Sequence, residues 1–120
     1  MNNEESILDY VKKLLGIQKD YVHFDPDVIY GINAAFGVLT QLGVGPEEGF
    51  MISDDSSKWI DFVSDIPRLS LIKPYVYLKT RLLFDPPSSA TLIDSINATI
   101  KEYEFRLSIA SDGGEKQNEQ

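Results

Sequence analysis

Residues 25–43 read Asp25-Pro26-Asp27-Val28-Ile29-Tyr30-Gly31-Ile32-Asn33-Ala34-Ala35-Phe36-Gly37-Val38-Leu39-Thr40-Gln41-Leu42-Gly43. The start is helical punctuation. Asp25 is the expected N-cap, and Pro26 the first helical residue, where a missing N–H costs nothing. Val28, Ile29, Ile32, Ala35, Phe36, Leu39 and Leu42 form one apolar stripe at helical spacing. Gly43 is the expected stop. Gly31, Ala34, Ala35 and Gly37 are small residues inside the helix. An interior glycine costs about 1 kcal/mol relative to alanine. Two of them point to close approach by another helix, within the fold or from a second subunit.

Upstream, the pattern predicts a first helix from about Asn3 to Leu15, with Asn3 as N-cap. Ile7, Leu8, Val11, Leu14 and Leu15 share a face, and Gly16 ends the run. Downstream, Ser53 or Asp54 is expected to cap a short helix through Val63, with Trp59, Ile60, Phe62 and Val63 as its apolar content. A fourth helix is expected from Pro67 to Phe84. Leu71, Ile72, Tyr75, Val76, Leu78, Leu82 and Leu83 cover much of its circumference, as in a central helix. Pro74 lies inside it and should kink or interrupt it. Asp85-Pro86-Pro87 is a hard stop. Ser88 or Ser89 then caps a fifth helix to about Ala110, with Leu92, Ile93, Ile96, Ile100, Tyr103 and Leu107 as its stripe. Glu102 and Arg106 stand i,i+4 in the favourable order.

The fold class is therefore all-α: a compact bundle of about five helices, with the second, fourth and fifth forming the core. A loop over 43–53 is expected to protrude. Residues 1–110 make one helical domain, and the polar residues 111–120 a flexible tail. A chain of 120 residues fits one domain. No apolar run reaches the roughly 18 residues of a membrane span. The acidic, polar start Met1-Asn2-Asn3-Glu4-Glu5 does not read as a signal peptide.

Composition removes several chemistries. The chain has no cysteine and one histidine, His23. Disulfide scaffolds, thiol catalysis, thiolate metal sites and multi-histidine sites are excluded. His23 has no serine elbow or acidic partner pattern around it and reads as a packed or surface residue. Gly43-Val44-Gly45-Pro46-Glu47-Glu48-Gly49 is rich in glycine but is no phosphate cradle. Pro46 removes a donor, and Glu47 and Glu48 repel phosphate. Asp54, Asp55, Asp61 and Asp65 lack the spacing of a calcium loop and read as surface and capping acids. Ser88-Ser89 reads as a cap, and Tyr75, Tyr77 and Trp59 as core or interface aromatics. No catalytic, cofactor or metal site is expected, and the chain is read as a non-enzyme.

Charge is the one strong bias. The net charge is −8. Residues 25–66 carry eight acids and one base, whereas residues 67–109 carry four acids and six bases. An acidic middle and basic later helices could meet across neighbouring copies. The candidate contacts are Val44, Pro46, Glu47, Glu48, Phe50, Met51 and Ile52 in the loop, with Phe50 and Ile52 as apolar anchors. Arg68, Lys73, Lys79 and Arg81 are the candidates on the fourth helix.

Two stretches also carry a resemblance. Tyr75-Val76-Tyr77-Leu78-Lys79-Thr80-Arg81-Leu82-Leu83-Phe84-Asp85-Pro86-Pro87 resembles small helical head–tail connector proteins of tailed phages and prophages. So does Gln41-Leu42-Gly43-Val44-Gly45-Pro46 with Gly49-Phe50. The order of elements agrees over about residues 5–109, and Pro74 is the departure. The resemblance implies an adaptor without catalytic activity or cofactor. It implies a homo-oligomeric ring, commonly twelve-fold, beneath the portal protein at the head–tail junction of the virion, assembled in the host bacterial cytoplasm. Such a ring extends the DNA channel, lets DNA pass without specific binding, and docks the tail or a stopper protein. The competing expectation, motivated by acidity alone, is a small DNA-mimic inhibitor of a host nucleic-acid-binding protein. It requires carboxylates along one exposed ridge. An enzyme would require a concave pocket with convergent polar groups, for which the sequence gives no sign.

Overall fold

The computed structural model describes residues 4–119, with side chains from 4 to 109. Five helices lie among these residues: α1 (Ile7–Leu15), α2 (Asp25–Gln41), α3 (Trp59–Phe62), α4 (Ile66–Phe84) and α5 (Ala90–Glu119). No strand is found among the described residues. One isolated antiparallel bridge joins Ser6 to Lys58. The chain is all-α.

α4 is the hub, packing against α1, α2 and α5. Its buried residues, Leu69, Ile72, Tyr75, Val76 and Thr80, are spread around the helix, as expected for an element with neighbours on several sides. Asp65 caps it, accepting from the Arg68 N–H. The helix runs through Pro74 without interruption. Proline removes one ladder bond there, and packing on three sides holds the remainder.

The α2–α4 contact explains one of the interior glycines. Gly31 is buried against Thr80, so closely that a Cβ at Gly31 would lie 2.9 Å from Thr80 Cγ2. Gly37, by contrast, faces open space.

The core is wider than α2, α4 and α5. Ile7, Leu8 and Val11 of α1 are buried in it, as are Trp59 and Phe62 of α3. α1 and α3 are tied by the backbone: Ile7 N–H donates to Ser57 O, and Trp59 N–H to Glu5 O. Tyr10 meets Trp59 edge-on at 5.4 Å between centroids.

Several boundaries differ from expectation, each for a local reason. α1 starts at Ile7, because Ser6 is its N-cap, accepting from Asp9 N–H. Asn3, the expected cap, lies outside the described residues. Asp25 does not cap α2. Phe24 holds the N-cap position without a side-chain bond, and the Asp25 carboxylate is 2.8 Å from Lys12 Nζ. α3 is a single turn that begins at Trp59 rather than near Ser53. Asp54 instead folds a tight turn onto Ser56, and Asp61 accepts from the Lys58 N–H to start the helix. Ser89 caps α5, accepting from Leu92 N–H. The α5 backbone continues to Glu119, beyond the expected end near Ala110.

Candidate assembly surfaces

The segment from Gly43 to Ser57 is built inward from its ends. Val44 follows the end of α2 and is fully buried, its N–H donating to Leu39 O. Gly45 has φ +88° and touches the Phe62 ring, so closely that any Cβ would overlap it. Pro46 is half-buried, and its carbonyl accepts from Gly49 N–H across the turn. Glu47 and Glu48 are exposed at the apex. Phe50 packs on Phe36 and Phe62, at 5.0 and 5.2 Å between centroids. Ile52 is buried. Its N–H donates to Asn33 Oδ1 (2.8 Å), and its carbonyl accepts from Asn33 Nδ2 (2.9 Å). Thus Phe50 and Ile52 are anchors within the protomer, and the loop turns Met51 outward, 73% exposed.

The candidate basic residues divide likewise. Arg68 lies 3.9 Å from Asp65, its capping partner. Lys73 is 3.5 Å from Glu5, with its ammonium over the Tyr10 and Trp59 rings. That arrangement combines charge pairing with cation–π attraction. Lys79 and Arg81 are half-exposed and make no ion pair among the described residues.

A buried lysine holds the connection between α1 and α2. Lys12 is 1% exposed. Its ammonium donates to Lys19 O (3.0 Å) and Tyr21 O (2.9 Å) and sits beside Asp25. Two carbonyl hydrogen bonds and one close ion pair thus compensate the buried charge, and Asp25 Oδ1 faces the ammonium without hydrogen-bond geometry. Across α4 and α5, Tyr75 donates to Glu104 Oε2 at 2.8 Å. Burial and the facing carboxylate push the Tyr75 hydroxyl well above its ordinary range. His23 is exposed and meets the Phe24 ring edge-on at 4.8 Å between centroids. Asp54 accepts from both N–H and Oγ of Ser56, which holds its carboxyl below the usual range. Among the described residues no three His, Asp or Glu side chains are grouped as a metal site would need. No helix there is long and apolar enough to cross a membrane.

Two surface features are absent from the sequence-based candidates. One is a groove of about 750 Å³ lined by Val22, Asp25, Pro26, Ile29, Ile52, Ser53, Asp54 and Asp55. The other is a second face of α5, where Lys101, Phe105 and Ile109 stand at i, i+4 and i+8 and are all exposed. Their spacing was a visible signal. The buried stripe of Ile96, Ile100 and Leu107 accounts for another face of the same helix and leaves these over.

The fold and these surfaces together describe a small all-α structural module. Its buried Lys12 and Thr80 are spent on holding the helices and connections together, while Trp59 Nε1 is buried without a hydrogen-bond partner. The family model for phage connector protein matches residues 7–114, from the first residue of α1 well into α5, and the chain belongs to that family. The family is a structural one. Neither the curated proteins nor the solved structures gave a match to this chain.

Proposed function

We propose that this phage connector protein is a head–tail connector subunit. Copies assemble as a ring, commonly twelve-fold, below the portal, extend the DNA channel and dock the tail or a stopper. Its place is the head–tail junction of the virion, after assembly in the host cytoplasm, and it performs no catalysis. The family match spanning all five helices carries this reading.

The surface supports it. A ring needs a heterologous interface, in which one patch meets a different patch of the next copy. Glu47, Glu48 and Asp55 are exposed acids without an ion pair among the described residues, and Lys79 and Arg81 are half-exposed bases without one. Met51 adds an outward apolar side chain. Val44, Pro46, Phe50 and Ile52 serve by fixing the loop's shape. Carboxylates on the channel wall would let DNA slide, because they repel phosphates. Cryo-electron microscopy of the chain with its portal tests the reading. A closed ring on the portal is expected; a chain that stays monomeric and portal-free at high concentration overturns it.

A further inference from the structure

We infer that the groove between the start of α2 and the 52–55 segment receives the outer face of α5 from a second copy of this chain. The inference rests on the proposed ring and names the surfaces that meet.

The groove has an apolar floor of Val22, Pro26, Ile29 and Ile52, and an acidic rim of Asp54 and Asp55. Val22 is 63% exposed although it is a large aliphatic residue. The groove is a shallow concavity open to solvent, so a partner's side chains can reach its apolar floor. The α5 face offers two, Phe105 at 65% and Ile109 at 52% exposure. Lys101 extends the same stripe by one turn. At i,i+4 spacing the three side chains form one ridge.

Charge selects the occupant. Asp55 and Lys101 make no ion pair among the described residues, so each keeps its charge for a partner. Acids on the rim repel nucleic acid and attract the single lysine that ends the otherwise apolar ridge. The ridge this chain itself carries combines that charge with apolar bulk. Groove and ridge are different patches on different elements. The contact is therefore head-to-tail, which propagates from copy to copy and closes when the rotation permits.

The absence of cysteine makes the test clean. Ser53→Cys beside the groove and Ser108→Cys beside the ridge are introduced into separate chains, which leaves Asp55, Lys101, Phe105 and Ile109 in place. The two variants are mixed, assembled on the portal, and oxidised. A disulfide-linked dimer is expected from the mixture and not from either variant alone. Adding Lys101→Glu to the Ser108→Cys chain should lower the yield severalfold, and Asp55→Lys on the other chain should restore it. A portal-bound ring that gives no mixed dimer overturns the inference and leaves the connector reading standing. So does a ring in which Ser108→Cys links mainly to itself. If no assembly forms on the portal, the connector reading falls and the inference falls with it.

Discussion

Gly31 on α2 lies directly against Thr80 on α4. A Cβ at Gly31 would approach Thr80 Cγ2 to 2.9 Å and Thr80 Cα to 3.2 Å. Thr80 cannot turn away easily. Its hydroxyl donates to Val76 O at 2.8 Å, and the residue is fully buried. The absent side chain at position 31 thus sets the distance between the two principal helices.

Gly31→Ala is expected to destabilise the fold by up to about 2 kcal/mol. Overpacking costs about 1–3 kcal/mol and is only partly offset by the gain in helix propensity of about 1 kcal/mol. Gly37→Ala, which meets nothing within 4 Å, should stabilise by about 0.4–1 kcal/mol. Urea unfolding of both variants gives the signs. In a Thr80→Ser background, which removes Cγ2, the Gly31→Ala penalty should shrink.

Lys12 ties α1 to the segment that leads into α2. Lys12→Met keeps the aliphatic stem and removes the ammonium, leaving the Lys19 and Tyr21 carbonyls without their donor and Asp25 without its cation. A loss of about 2–3 kcal/mol is expected. Lys19→Ala, whose side chain is exposed and only 3.7 Å from Asp9 at its closest, should stay within about 0.5 kcal/mol of the parent. Thermal unfolding separates the two.

Asn33 clamps both backbone groups of Ile52. Asn33→Asp keeps the acceptor but sets a carboxylate oxygen against the Ile52 carbonyl. It should cost about 1–3 kcal/mol and speed amide exchange at Ile52 and its neighbours, while α4 exchange follows global stability. Equal acceleration everywhere would show that the clamp has no local role.

The Tyr75–Glu104 pair gives a pH signature. The hydroxyl's folded-state pKa is raised, so its contribution is constant below the unfolded value of about 10 and is lost as pH climbs above it. Tyr75→Phe should cost about 0.5–1.5 kcal/mol at neutral pH. The gap between parent and variant should narrow above about pH 10. A gap independent of pH would contradict the assignment.

The parts of this fold legible in sequence are those decided within a few residues. Gly16 ends α1, Asp85 ends α4 before two prolines, Ser89 starts α5, and Arg106 reaches Glu102 at 2.7 Å. What could not be read depends on partners far along the chain. Asp25 has every local qualification as a cap, but Lys12, thirteen positions earlier, takes its carboxylate. Phe50 and Ile52 sit in a glycine-rich loop where apolar side chains suit an outer contact as well as a core. Phe36, Phe62 and Asn33 decide for the core. The second face of α5 is written in Lys101, Phe105 and Ile109, beside a stronger buried stripe of the same period. Leu92 belongs to that stripe by spacing but is 50% exposed, because α5 there has only begun to pack.

The central proposal is that copies of this connector protein form a ring on a portal. The most direct measurement is the mass of the particle formed when the full chain is mixed with its portal, by light scattering or native mass spectrometry. The expected result is a portal bearing a fixed, ring-closing number of copies, near twelve. A mass equal to the portal alone, with the connector remaining monomeric at every concentration, would contradict it.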